Sequence, residues 1–273
     1  MKKNKKNKPK WKNIIVIFIF LIALIVFVIA SIKLINHYFD SKEINEEVNK
    51  LNEITKIDNI KNGQAVNKEN ASKDDPYWDY IKMDLMDVDL TSLKKINDDT
   101  VGWIKVNETN VNYPVVQTND NSYYLTHSFY KEYNMAGWVF ADYRNDFNNL
   151  DKNTIIYAHG MNNGTMFGSL RKILDSDWYN DINNHIVNLS TDKENTLWQV
   201  FSIYHIKTTS DYLKVNFSSN KDFNNFINML KKRSDVKFDA SVDENDKILT
   251  LSTCYNKSEK VVLHAKLIKK GRK

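Results

Sequence analysis

Cysteine, proline and glycine are scarce in this chain: one, three and seven among 273 residues. A single thiol, Cys254, cannot close an internal disulfide, so burial must hold the fold together. Cysteine and histidine show no zinc-ligand spacing. Seven glycines leave little room for a glycine-rich phosphate loop, and none is present. The acidic stretches 84–89 and 142–151 lack the glycine and glutamate positions of a calcium loop and read as solvated turns. No cofactor and no metal are therefore expected. Clusters that alternate basic and aromatic residues are also missing, which argues against a nucleic-acid partner.

Apolar runs long enough to cross a bilayer are equally rare, but one occurs. Ile14 to Ile32 holds no charge, and Ser31 is its only polar residue. As a helix this run is about 28 Å long, enough for a hydrocarbon core. Seven lysines and no acid precede it, which keeps residues 1–13 cytoplasmic and places the rest outside the membrane. Val28-Ile29-Ala30 loosely resembles a cleavage site, but the run exceeds the roughly 7–15 residues of a signal peptide, so an uncleaved anchor over 14–35 is expected. Without those seven lysines, 32 of the 39 basic residues face 34 acidic ones. The basic charge therefore describes topology and not a polyanionic partner.

Ile44, Val48, Leu51, Ile54 and Ile57 recur at steps of three and four, which predicts a stalk helix from Ser41 to about Ile60. Residues 61–75, rich in Asn, Lys, Asp and Ser, read as a flexible linker, so 36–75 are assigned to stalk and linker. The domain proper spans 76–273. Its first segment, with Trp78, Tyr80, Leu85 and Leu93, predicts one or two short helices. From Val101 the pattern changes to short strands: 101–106, 111–117, 137–141, 154–158, 185–190, 197–208, 247–253 and 260–268. Helical stretches interrupt at 165–173 and at 221–232, where Phe223, Phe226, Ile227 and Leu230 share one face. Many short strands separated by turn signals predict a mostly β fold, a closed barrel or a sandwich.

A lone cysteine is a buried apolar side chain, a spare thiol or a nucleophile. As a nucleophile Cys254 needs a base or cation that favours its thiolate. Of six histidines, His37 lies beside the apolar run, His127 in an aromatic loop, and His185, His205 and His264 in strand-like stretches. His159 differs, because it follows the strand Thr154–Ala158 directly and precedes Gly160, a position from which a rigid scaffold can aim a side chain into a cleft.

Thr250-Leu251-Ser252-Thr253-Cys254 resembles the TLxTC signature of sortases, the cysteine transpeptidases of Gram-positive cell surfaces. Tyr157-Ala158-His159-Gly160-Met161, with Gly164-Thr165-Met166-Phe167, resembles their catalytic-histidine segment. Val101–Ile104, Tyr113–Gln117, Asp120–Leu125 and Gly137–Arg144 resemble the class B branch, in the family's order and within roughly residues 76–270.

The resemblance implies an eight-stranded barrel, N-terminal helices and a helix-containing insertion between Thr208 and Lys247 over a substrate groove. It implies Cys254 as nucleophile and His159 as proton-transfer partner. The family's arginine at the start of the last strand is replaced here by Lys260, a movable point charge instead of a planar fork. Arg144, Arg171, Arg233 and Arg272 are the other cations that could serve, Arg233 foremost among them. Ser252 and Thr253 are candidates for binding a peptide substrate or for satisfying the backbone. The implied function is cleavage of a C-terminal sorting motif of secreted proteins at a threonine carbonyl. Transfer to an amine of a peptidoglycan precursor follows, at the outer face of the plasma membrane. Two alternatives stand beside it: a hydrolytic cysteine peptidase on the same fold, or a surface scaffold impaired by the loss of the arginine.

Overall fold

The computed structural model describes residues 11–67, 71–254 and 258–273; the side chains of Lys12, Asn13, Asn36, His37 and Cys254 lie outside the described atoms. The chain opens with one continuous helix, α1 (Trp11–Ile54), whose apolar run is left uncovered by the rest of the described chain. The same helix continues into the domain. Ile44 and Leu51, two turns apart on one face, are fully buried in the main core, and Val48 packs beside them. Asn134 reinforces the docking by donating to Asp40 O at 3.3 Å and Glu43 Oε2 at 3.2 Å.

The stripe read from the sequence as a free stalk is thus a packing face. The helix also ends before the expected Ile60. Residues Ile57–Ile60 form β1, which pairs antiparallel with β3 (Leu85–Val88). The stretch 61–75, expected to be a flexible linker, is pinned at several points. Gln64–Ala65 forms β2 against the last strand, and Asn67 donates to Asp246 at 2.6 Å. Asp75 is buried and accepts from Tyr77 N, Gln199 Nε2 and Ser241 N. Short polar side chains serve here as hydrogen-bond partners for irregular backbone, so their abundance does not imply mobility.

The short helices α2 (Tyr77–Tyr80) and α3 (Thr91–Ile96) flank β3. Eight strands then close a mixed barrel: β4 (Thr100–Val106), β5 (Asn112–Val116), β6 (Phe140–Ala141), β7 (Asn153–Ala158), β8 (Ile186–Thr191), β9 (Glu194–Lys207), β10 (Ile248–Cys254) and β11 (Glu259–Arg272). Neighbours run in the order β10-β7-β6-β5-β4-β8-β9-β11, and the β10–β11 pairing closes the ring, with β2 added outside β11. Closure leaves no free edge among these eight strands. Trp103, Trp138 and Trp198 fill the interior, and each indole N–H has a partner: Asn112 Oδ1, Pro114 O and Thr196 Oγ1.

The expected helix at 165–173 is a 3₁₀ helix over Gly168–Leu174, followed by α4 (Ser176–Tyr179). The insertion carries α5 (Asn220–Arg233), capped by the Ser219 side chain on Asp222 N. Its apolar face, Phe223, Phe226, Ile227 and Leu230, packs on Phe201, Tyr204 and Tyr212 as a second core outside the barrel. This packing fixes the 208–218 loop beside the end of β10.

Candidate active site

Strands β7 and β10 run parallel and side by side, with Thr253 opposite Ala158 in the final pair of their register. His159 and Cys254 each follow that pair by one residue, 95 positions apart in sequence. On the other side of β10, the antiparallel register of β11 sets Cys254 opposite Lys260. Three adjacent strands thus carry His159, Cys254 and Lys260 to one rim of the barrel. A cavity of about 560 Å³ opens there, lined by His159, Ser252, Thr253 and Lys260, the wall residues Leu125, Tyr157 and Tyr212, and their neighbours.

The imidazole of His159 is held from behind. Its Nε2 lies 2.8 Å from Leu125 O, and since a carbonyl only accepts, Nε2 carries the proton of this bond. Leu125 ends a 3₁₀ turn (Tyr123–Leu125) anchored by Asp120, which accepts from Ser122 N at 2.5 Å and Tyr123 N at 2.8 Å. Gly137 lies against this turn with φ +60°; a Cβ there would meet Tyr124 O at 2.4 Å and Leu125 O at 2.9 Å. The His159 backbone is fixed too: Phe167 N donates to His159 O at 3.0 Å, and Arg171 Nη2 donates to Gly160 O at 2.8 Å.

Ser252 and Thr253 line the cavity, and both hydroxyls have protein partners. Ser252 Oγ shares a 2.9 Å bond with Tyr212 Oη, and Thr253 Oγ1 donates to Ala158 O at 2.9 Å. Thr253 therefore ties β10 to β7 beside the two candidate catalytic positions.

Lys260 is the only lysine or arginine among the described residues that line the cavity. The four arginines considered from the sequence are placed elsewhere. Arg233 makes a two-pronged contact with Asp211, tying the end of α5 to the 208–218 loop. Arg171 holds the Gly160 carbonyl, and Arg272 lies at the far end of β11, opposite Glu194.

Arg144 forms a bidentate pair with Asp142 at 2.8 and 2.7 Å and donates to Leu213 O at 3.0 Å. By sequence Asp142 belongs to a stretch that reads as a solvated turn. Instead it is fully buried, and it also accepts from Tyr157 Oη at 2.8 Å and Asn121 Nδ2 at 3.1 Å. Burial pushes its carboxyl up, but the bonds from Arg144 and Tyr157 outweigh that and hold it below the usual carboxylate range. The pair thereby links three cavity walls: Asn121, Tyr157 and Leu213. An acidic stretch shows its burial in sequence only when its partners are known, so composition alone concealed it.

His264, a strand histidine in the sequence reading, is sealed inside the wall between Tyr204 Oη at 2.8 Å and Thr250 Oγ1 at 2.9 Å. Burial, with the Arg233 charge adding to it, pushes its pKa down to about 3, so it stays neutral.

A family model described as the sortase domain matches residues 104–268. Sortase B of Listeria monocytogenes is 36% identical over 186 residues, covering 67% of this chain and 75% of that protein. The structure of a Staphylococcus aureus sortase B–substrate complex superposes with a TM-score of 0.61 at 37% identity, covering 65% of this chain and 83% of that one. A sortase B complexed with triglycine gives 0.62 at 37% identity, covering 65% and 84%. With the barrel, the sequence segments and these relatives in agreement, the chain belongs to the sortase family of cysteine transpeptidases, in its class B branch.

Proposed function

We propose that Cys254 is the nucleophile, His159 the proton-transfer group and Lys260 the oxyanion support of a membrane-anchored transpeptidase. The observation that carries this reading is the register that brings these three residues to one rim from adjacent strands. A cysteine transpeptidase with one cysteine in its whole sequence has one candidate for its thiolate.

The Cys254 thiolate attacks the carbonyl carbon of a threonine in a C-terminal sorting motif. A C–S bond forms, and the carbonyl electrons move to oxygen. The Lys260 ammonium stabilises that oxyanion as a point charge. With Nε2 bonded to Leu125 O, Nδ1 is the nitrogen through which His159 passes a proton to the departing amine as the C–N bond breaks. The resulting thioester is attacked by an amine of a peptidoglycan precursor, which gives a proton to His159. The sulfur leaves as thiolate, and the protein is joined to the wall through a new amide. The relatives bound to substrate and to triglycine support a peptide donor and an amine acceptor.

The basic residues before α1 and its uncovered apolar run support a single-pass anchor, cytoplasmic at the N-terminus, with the catalytic domain outside. The test is product partition. The full chain is incubated with a library of threonine-containing sorting-motif peptides, with and without triglycine. Added amine converts the product from acid to amide; cleavage that yields acid alone at saturating triglycine would instead assign a hydrolytic peptidase.

A further inference from the structure

The docking of α1 leaves a surface for which the transpeptidase reading has no use. Asn134 is bonded to Asp40 O and Glu43 Oε2, which fixes the loop 127–135 at the level of residues 40–43 on the helix. One turn below, Tyr38 and Phe39 are 66% and 58% exposed, just past the end of the apolar run. The same loop exposes Tyr133 at 70% and Met135 at 52%. These are large apolar or amphipathic side chains left uncovered by the described residues, on a loop otherwise well tied. Lys131 pairs with Asp98 and Asp99, and the His127–Tyr133 bridge closes its base.

On the other side of α1, Asn162 and Asn163, three and four residues beyond His159, approach the same stretch of helix. The space between is graded: Leu34, Ile35, Tyr38 and Phe39 are apolar, whereas Lys42 and Asn162 are polar. Apolar below, aromatic in the middle and polar above is the order of a bilayer edge read outward from the hydrocarbon. Trp11 marks the other end of the span. Asp40 to Glu43 lie about 8–12 Å beyond Ile35, the end of the anchor, along the helix axis at roughly 1.5 Å per residue. A loop bonded there stands at the outer limit of a headgroup layer about 5–7 Å thick, within reach of long side chains such as Tyr133 and Met135.

We propose that the domain does not stand off the membrane but rests on it, with Tyr133 and Met135 in the headgroup layer of the leaflet facing the domain. The partner is the lipid surface itself. The inference rests on the anchor reading and extends it. A membrane-seated 127–135 loop continues directly from Leu125, whose carbonyl holds His159. The site is thereby kept close to the lipid surface.

The test uses the full chain in vesicles that contain shallow spin-labelled phosphatidylcholine. An environment-sensitive fluorophore is attached to single cysteines in a Cys254→Ala background, at Tyr133→Cys, Met135→Cys, Phe27→Cys in the span and Lys232→Cys on α5. The expected result is quenching at 133 and 135 at least threefold greater than at 232. Quenching in the span, with 133 and 135 no more quenched than 232, would overturn the proposal and leave the anchor standing. No quenching at Phe27→Cys would remove the anchor, and the proposal with it. Pyrene excimer emission from Tyr133→Cys in place of lipid quenching would assign the patch to a second copy of the chain, which also overturns it.

Discussion

Lys260 lies opposite Cys254 in the antiparallel register of β10 and β11, the position from which a side chain on the last strand can serve chemistry at the cysteine. If Lys260 supports the oxyanion, Lys260→Ala lowers kcat/KM by about 10²-fold, the usual effect of losing one such donor. Lys260→Arg restores or exceeds the parent rate, because the planar fork holds both oxyanion and substrate carbonyl. Equal kcat/KM in all three proteins would take Lys260 out of the site.

Gly137 sets the position of the Leu125 carbonyl and, through it, of His159. Gly137→Ala forces that carbonyl to shift, so kcat falls by about tenfold or more as the imidazole loses its fixed orientation. The pH–rate profile shifts as well, a change that a purely structural defect would not produce. An unchanged profile, with activity lost only in proportion to unfolded protein, would confine Gly137 to folding.

The Asp142–Arg144 pair is buried on the acid side and bonded to three cavity walls. Asp142→Ala leaves a guanidinium and a tyrosine hydroxyl without their acceptor and is expected to cost about 3–5 kcal/mol, read from urea unfolding. Arg144→Lys loses the fork geometry at smaller cost, and the loosened walls raise KM for peptide more than they lower kcat. A KM unchanged in Arg144→Lys would show that the walls hold without the pair.

Glu47 is buried where α1 meets the domain, and its pKa is raised from 4.5 to about 7, by burial first and by Glu43 and Glu132 next, against hydrogen bonds from Ser128 and Phe129. A carboxyl with a raised folded pKa contributes stability that is complete below its unfolded value and is lost as pH rises through the folded one. The domain is therefore expected to lose stability between about pH 4.5 and 7. Glu47→Gln flattens that slope and raises Tm at pH 8 by a few degrees, roughly 1–3 kcal/mol. Parallel Tm–pH curves for the two proteins would refute this.

Much of the barrel is legible in the sequence because most of its strands are short, apolar and bounded by turns, although β9 and β11 run to 14 residues. Phe223, Phe226, Ile227 and Leu230 likewise announced α5 by their spacing. Where the sequence misleads, one physical cause recurs. Ile44 and Leu51 form the same stripe whether the helix stands free or docks, since periodicity names a face and not its partner. Asp75 and Asp142 belong to polar stretches that look solvated, and only their distant donors, Gln199 and Tyr157 among them, reveal burial. Leu125 gives no signal in the sequence because it acts through a backbone carbonyl, which side-chain identity does not report. Arg233 is held by Asp211, 22 residues away, a pairing that sequence spacing does not announce.

The central claim is that Cys254 carries the acyl group between donor peptide and acceptor amine. Intact-protein mass spectrometry of the full chain, mixed with sorting-motif peptides and no amine, tests it most directly. The expected result is an added mass equal to the N-terminal peptide fragment, mapped to Cys254, absent from Cys254→Ala and discharged within a turnover by triglycine. Peptide cleavage by Cys254→Ala at the parent rate would contradict the account.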